Sequence, residues 1–329
     1  VVNLCFVYTK YQYDVFQSVK KSHNVDGDVY FIAPDKLRRI FINDSESAFF
    51  FLSEDRGVSF RQARELINEI KFLSRNFRSE PVMLWLASDD HPVGQVLLRN
   101  LDIDAVMLLE DGIGSYIKHK PFSLDRGLRG FLGRIKNFIF YFPHYRALYG
   151  CGGNVRAERC FAYSEYAFPL QRNRPQVIVY SFSATSDQVR YWLPSGSIIV
   201  IGQPLAMDCG LPISTYFSIL QTAVCKISGG PPPNVYYKPH PREDCRALLP
   251  LLQEARWEIF DVNLPAEDLL FFCNNKQLKI VSFVSTALIN LKGQLGLDCL
   301  YFISSRSLKL PSGYRSSLRR VGVMECECD

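Results

Sequence analysis

The sequence predicts two doubly wound α/β units, each a parallel sheet with helices on both faces, facing each other across a cleft. Three observations carry that expectation. Short apolar runs of strand length alternate with runs of helical period along most of the chain. The alternation starts afresh after a turn-rich junction, Leu193-Pro194-Ser195-Gly196-Ser197. Polar residues able to hold ligands follow the strands in both halves, where open parallel sheets bind their ligands. The expected units are 1–193 and 194–303, with 304–329 a C-terminal tail packing back on the first.

Residues 2–8 read as a buried strand, and Tyr8-Thr9-Lys10-Tyr11-Gln12 turns into a short helix carrying Val15 and Val19. Strands follow at 29–33 and 48–52. Ser59 caps a long helix on which Ala63, Leu66, Ile67, Ile70 and Leu73 recur at helical spacing. A strand at 82–87 leads to a helix capped by Asp89 or Asp90 and carrying Val96, Leu97 and Leu98. A strand at 105–109 runs directly into Glu110-Asp111-Gly112. Strands at 160–163 and 177–180 close the first half, and 185–192 reads as helical. The second series opens with a strand at 198–201 and the turn Gly202-Gln203-Pro204. A helix at 216–227 is broken by Gly229-Gly230-Pro231-Pro232-Pro233, and a strand at 234–238 follows. A helix at 243–256 and a short strand at 257–260 come next. Pro265-Ala266-Glu267-Asp268 opens a helix, with its acids at the positive end. A strand at 279–283 leads to Ser285-Thr286, which begins a helix holding Ala287, Leu288 and Leu291, and the last strand is 298–302.

The chain has 329 residues, 47% hydrophobic and 22% charged, which supplies two cores of an ordinary water-soluble protein. A net charge of +5 does not call for a nucleic-acid partner. The opening run lacks the charged region and cleavage site of a secretion signal, and no apolar run has the length of a membrane span. Its ten cysteines show no disulfide framework: Cys5, Cys225 and Cys299 stand singly, and Cys326 and Cys328 lack a second pair at zinc spacing. A pairing of Cys151 with Cys160 stays open. These features fit a reducing cytoplasm. Between 116 and 150 the alternation fails. Lys118, Lys120, Arg126, Arg129, Arg134, Lys136 and Arg146 are interleaved with aromatic and aliphatic residues such as Phe131, Leu132 and Phe138. This reads equally as a surface for anionic lipid headgroups or an anionic acceptor, and as a helix with a solvated basic edge.

Three places can carry chemistry. Val235-Tyr236-Tyr237-Lys238-Pro239-His240-Pro241-Arg242-Glu243 ends a strand on a histidine braced by two prolines. An imidazole of near-neutral pKa there is suited to proton transfer. Glu110 and Asp111 follow a strand in the first half, and a carboxylate there can take a proton from an acceptor hydroxyl. Gly112 and Gly114 allow a ligand close approach. Ser285 and Thr286 start a helix whose N–H groups and hydroxyls suit a phosphate. Asp102-Ile103-Asp104 has a metal-binding look, but it precedes its strand and reads as a turn. His91-Pro92 begins a helix and reads as a cap.

The ordered set Glu110-Asp111-Gly112, His240-Pro241 and Ser285-Thr286 resembles the bacterial sialyltransferases. Within them it looks most like glycosyltransferase family 52, the lipooligosaccharide sialyltransferases. Val7-Tyr8-Thr9-Lys10-Tyr11-Gln12, the run from Leu109 to Tyr116, Ile201-Gly202-Gln203-Pro204 and Tyr237-Lys238-Pro239-His240-Pro241 also resemble that family. The resemblance implies a GT-B fold of two Rossmann-like domains, a CMP-sialic acid donor, inversion, no metal and no other cofactor. It makes Asp111 the general base, with Glu110 as the alternative, and His240 the general acid to the CMP phosphate. Ser285 and Thr286 would bind that phosphate, Lys238 and Pro241 would line the cytosine pocket, and Glu267 would meet the ribose. Gly202, Gln203 and Gly112 would lie against the donor. The acceptor would be a terminal sugar, galactose first, on a bacterial surface glycolipid or polysaccharide, with a polysialyltransferase as a variant. A homodimer, and peripheral contact with the inner membrane face through 118–146, would fit that setting. Two other readings stand beside it. One is the same fold with UDP-glucose, UDP-N-acetylglucosamine or CMP-Kdo as donor. The other is a non-catalytic sugar-nucleotide-binding protein.

Overall fold

The computed structural model describes residues 1–41, 48–53, 59–77, 80–117, 127–147, 149–179, 193–230, 234–240, 242–260, 266, 278–283, 285–295, 298–307 and 312–328. They divide into two units, Val1–Ser181 and Phe182–Asp329. The first contains β1 (Val2–Phe6), α1 (Lys10–Ser22), β2 (Asp28–Pro34), α2 (Arg38–Phe41), β3 (Ala48–Leu52) and α3 (Phe60–Arg75). It continues with β4 (Val82–Leu86), α4 (Pro92–Asn100), β5 (Ile103–Leu109), α5 (Gly127–Phe140), β6 (Arg159–Ala162) and β7 (Gln176–Val177). The sheet order is β3-β2-β1-β4-β5-β6-β7, and every pairing is parallel. The chain winds outward from β1 and returns on its other side at β4. The crevice of such a sheet lies at the carboxyl ends of those two strands.

All five residues of β1 are buried, as a central parallel strand covered on both faces requires. Aromatic rings fill the layer beside it. Phe16 meets Phe31 and Trp85 edge-on, each at 5.2 Å, and Trp85 stacks on Phe161 at 5.4 Å. Ser59 and Gln62 close a reciprocal capping box at the start of α3, whose Ala63, Leu66, Ile67 and Ile70 are buried. The cap of α4 is His91 rather than Asp89 or Asp90: its Nδ1 accepts from the Val93 N–H at 3.3 Å, with Pro92 in the first turn. Asp89 serves a different segment. Its fully buried carboxylate accepts N–H bonds from Gly152 (2.7 Å), Asn154 (2.6 Å) and Val155 (3.1 Å), and one from the Asn154 side-chain amide (3.3 Å). Burial pushes this carboxyl up to about 6, against the donors that pull it down. β5 begins at Ile103, so Asp104 belongs to the strand and not to a preceding turn.

The second unit contains β8 (Ile198–Ile201), α6 (Leu205–Cys209), α7 (Ile213–Ser228), β9 (Val235–Lys238), α8 (Cys245–Glu254) and β10 (Glu258–Ile259). β11 (Lys279–Ser282), α9 (Thr286–Leu295), β12 (Leu300–Ser304), α10 (Ser312–Arg320) and β13 (Met324–Glu327) complete it. Its order is β10-β9-β8-β11-β12-β13, again parallel throughout, with the reversal between β8 and β11. Tyr216, Phe217, Leu220 and Val224 of α7 pack with Val235, Tyr237, Trp257 and Phe283 in its core. α7 ends on Gly229, whose φ of 76° is cheap only without a Cβ.

Residues 304–329, read from the sequence as a tail reaching back to the first unit, belong to the second. β13 pairs with β12 from Tyr301↔Met324 to Ser304↔Glu327, and Arg315 and Arg319 of α10 both pair with Glu325. Cys326 and Cys328 are buried there, with their sulfurs 3.7 Å apart. The helix expected at 185–192 and the helix start at Pro265 lie outside the described residues.

Asp89→Asn would set an amide against backbone N–H groups. We expect a loss of about 1–3 kcal/mol for each donor left unpaired, read by urea unfolding, and faster proteolysis within 150–155.

Candidate active site

At the crevice of the first sheet, the chain leaving β1 places Tyr8 and Gln12 beside the acids that follow β5. The Tyr8 N–H donates to Gln12 Oε1 at 2.8 Å, which fixes the side-chain amide with its NH2 outward. That NH2 donates to Asp111 Oδ1 at 2.6 Å, and the Tyr8 hydroxyl donates to Asp111 Oδ2 at 2.6 Å. The Asp111 N–H in turn donates to Ser115 Oγ at 2.8 Å. Burial and the Asp111 charge hold the Tyr8 hydroxyl well above its ordinary phenol range, so it remains a donor. His91 stacks on the Tyr8 ring at 4.5 Å and holds it from behind.

The two adjacent acids have different surroundings. Glu110 is fully buried. Its Oε1 accepts from the Tyr11 hydroxyl (2.9 Å), and its Oε2 from the Tyr116 hydroxyl (2.7 Å) and the Tyr163 N–H (2.8 Å). Asp111 is half-buried and lines a cavity of about 320 Å³ with Tyr8, Ser88, His91, Arg134 and Asn137. Tyr8 and Gln12 thus hold the Asp111 carboxylate at the wall of that cavity. Gly112 takes a φ of 69° to turn the chain, and a Cβ on Gly114, which also lines the cavity, would meet nothing within 4 Å.

In the second unit a third carboxylate, Glu243, organises the histidine turn. Its Oε2 accepts from the His240 N–H at 2.6 Å, and its Oε1 accepts from Tyr237 (2.7 Å) and Tyr216 (3.0 Å) hydroxyls. The Tyr216 oxygen accepts the Gln203 N–H at 3.0 Å, and the Gly202 N–H donates to the Lys238 carbonyl at 2.8 Å. A Cβ on Gly202 would collide with Glu243 Oε2 and the Tyr237 hydroxyl, so glycine is required there. His240 Nδ1 accepts from the Arg242 N–H at 3.1 Å, which leaves the proton of the neutral ring on Nε2. Burial lowers the imidazole pKa, helped by Arg242 and Lys238 and opposed by Asp208, which pairs with Arg242 at 3.1 Å.

Lys238, His240, Gly202 and Gln203 thus share one network. The order β9, β8, β11 brings Ser285 and Thr286 to the same edge on the other side of β8, and Ser282 Oγ ties β11 to the Ile201 carbonyl at 2.8 Å. Ser285 is buried, and its Oγ accepts from the Ala287 N–H at 3.2 Å, capping α9. Pro241 and Glu267 lie outside the described residues. Sequence reasoning gave no role to Glu243, Tyr216 or Tyr237, and read His91 only as a helix cap. Only the spacing of Glu243 three residues after His240 offered a signal, since its other partners are distant in sequence.

MurG of Acinetobacter baumannii superposes with a TM-score of 0.52 at 12% identity, over 99% of this chain and 85% of that one. UDP-GlcNAc 2-epimerase of Methanocaldococcus jannaschii gives 0.54 at 12% identity, over 99% and 88%. An alpha/beta-galactoside alpha-2,3-sialyltransferase of Photobacterium phosphoreum gives 0.54 at 10% identity, over 98% and 97%. At these identities the likeness is one of fold, the GT-B fold of two Rossmann-like units. No curated protein matches the sequence. The family model for alpha-2,8-polysialyltransferase matches residues 6–296, and the chain belongs to that family of glycosyltransferases. The motifs by themselves point to family 52, with a polysialyltransferase as a variant; the match is to the polysialyltransferases.

Two outcomes follow for the histidine turn. Glu243→Gln sets an amide against the His240 N–H and is expected to cost about 1–3 kcal/mol in urea unfolding. Arg242→Gln removes a cation and releases Asp208. Both changes favour the imidazolium, so the His240 titration followed by NMR is expected to move to higher pH.

Proposed function

We propose that this enzyme transfers sialic acid from CMP-sialic acid to the 8-hydroxyl of a terminal sialic acid, with inversion and without a metal. The observation that carries the reading is Asp111, a carboxylate fixed by Tyr8 and Gln12 yet open to a cavity. The family supports sialic acid as the sugar moved. It also shifts the acceptor from galactose, expected from the motifs, to another sialic acid. Arg134 and Asn137 on the cavity wall suit a sugar that carries a carboxylate.

Asp111 takes the proton of the acceptor hydroxyl as its oxygen forms a bond to the anomeric carbon. The bond from that carbon to the CMP phosphate breaks with its electron pair, and His240, protonated on both nitrogens for this step, delivers its Nε2 proton to the departing phosphate oxygen and is left as the neutral ring. Ser285 and Thr286 at the start of α9 offer hydroxyl and N–H donors to the same phosphate. A leaving group with one phosphate asks for less charge neutralisation than a diphosphate, so a proton and a helix end suffice. Lys238 and Pro241 hold the cytosine, Glu267 the ribose, and Gly202, Gln203 and Gly112 give the donor close approach. Glu110 sets the shape of the acidic turn and leaves proton transfer to its neighbour.

The test is CMP release from CMP-sialic acid in the presence of EDTA, with oligosialic acid or lactose as acceptor. Release is expected to depend on oligosialic acid. Asp111→Asn and His240→Ala are each expected to lower kcat by about 10²–10⁴-fold. Glu110→Gln is expected to lower stability more than kcat. Turnover surviving in Asp111→Asn but lost in folded Glu110→Gln would transfer the base to Glu110. Absence of CMP release with either acceptor would end the sialyl-transfer reading.

A further inference from the structure

We infer that α5 is an interfacial helix that lays the first unit on an anionic lipid surface, with the Asp111 cavity on the helix's opposite side. Five large apolar side chains along this segment stand in solvent: Leu132 53% exposed, Ile135 39%, Phe138 51%, Ile139 56% and Phe142 57%. At about 100° per residue the four within α5, Leu132, Ile135, Phe138 and Ile139, fall within one arc of roughly 120°, and Phe142 follows just beyond the helix end. Gly133, Arg134 and Asn137 fall on the other side, and these three line the cavity that holds Asp111. One helix therefore has a face committed to the cavity and a face of exposed aliphatic and aromatic groups. Clustered apolar exposure of this kind marks a docking surface and not ordinary surface scatter.

Charge selects the occupant. From Gly127 to Ala157 the sequence contains no acid, while it carries Arg129, Arg134, Lys136, Arg146 and Arg156. On the helix Arg134 and Lys136 flank the arc, each about 40° beyond one of its edges, and the Lys136 ammonium lies over the Phe140 ring at 5.1 Å. Phe140 also meets Phe60 of α3 edge-on at 6.2 Å, and Arg64 covers Phe60 at 4.9 Å. Burial, with the charges of Lys71, Arg64 and Arg99, lowers the pKa of His144 just beyond α5, so further cations stand near this end of the helix. An apolar arc bordered by cations is the pattern of a helix lying in the plane of an anionic bilayer. Among the described residues no helix is long and apolar enough to cross a membrane. With a helix diameter of about 10–12 Å, the cavity would sit one helix above the lipid. This is within reach of a glycan anchored in the same bilayer. That last consequence rests on the proposed sialyl transfer, whereas the docking does not.

Cosedimentation of the full chain with phosphatidylcholine vesicles, with and without phosphatidylglycerol, tests the docking. The protein is expected to pellet with the anionic vesicles, less so as salt is raised, and to stay in solution with phosphatidylcholine alone. The double variant Phe138→Glu, Ile139→Glu is expected to lose binding by about tenfold or more. Its thermal melting should be unchanged, since both side chains are already exposed. It should also release CMP with a soluble acceptor as the parent does, which separates failure of docking from failure of the proposed reaction. Equal pelleting of parent and double variant, or no pelleting of the parent, overturns the inference. A parent that is dimeric by sedimentation equilibrium, with a monomeric double variant, also overturns it and assigns the face to a second copy of the chain.

Discussion

In each unit a glutamate, fully buried at Glu110 and half-buried at Glu243, gathers two tyrosine hydroxyls and one backbone N–H at the carboxyl edge of the sheet. Glu110 collects Tyr11, Tyr116 and the Tyr163 N–H; Glu243 collects Tyr237, Tyr216 and the His240 N–H. Withdrawing a carboxylate from water costs several kcal/mol unless donors replace the lost hydration. The donors therefore cannot drift independently, because any that leaves exposes the whole desolvation cost. Asp111 follows Glu110 directly and His240 precedes Glu243 by one turn, so both take their positions from these two knots. The tyrosines cannot readily ionise either. Burial and the neighbouring charge push the Tyr116, Tyr216 and Tyr237 hydroxyls well above the phenol range, which keeps them donors.

The knots act through a winding that both units share. Each sheet runs outward from its first strand and returns on the other side, so the ends of two neighbouring strands diverge and leave a crevice. In the first unit the strands beside the crevice deliver Tyr8 and His91, with Asp111 arriving from β5. In the second they deliver Gly202 and Ser285, with His240 arriving from β9. Within each sheet, parallel pairing alone determines that its own residues emerge at one edge, whatever their separation along the chain.

The alternation of strand and helix, the cap at Ser59 and the acid-bearing and histidine-bearing turns were legible because each depends on residues close in sequence. The difference between Glu110 and Asp111 was not. Consecutive residues leaving a strand point to opposite sides, so one inward and one outward acid could be foreseen, but not which. That choice rests on Tyr163, brought alongside by β6. Glu243 was hidden for the same reason, since Tyr216 and Gly202 reach it only through the sheet. Asp89 looked like a helix cap because Asp often is one; its carboxylate is instead taken by a loop more than sixty residues away. The last strand escaped notice because Met324–Glu327 is short and bears two acids, the composition of an edge strand.

The bond from the Arg242 N–H to His240 Nδ1 has a consequence for the order of events in a catalytic cycle. A ring whose Nδ1 accepts a backbone N–H is neutral and cannot surrender its Nε2 proton without becoming an imidazolate. Under the proposed role, the acid is therefore the imidazolium, whose second proton sits on Nδ1 and displaces the Arg242 N–H. The turn then has two states, one latched and neutral, the other unlatched and charged. Arming the acid and opening the latch become one event, and each turnover ends with the latch closing again.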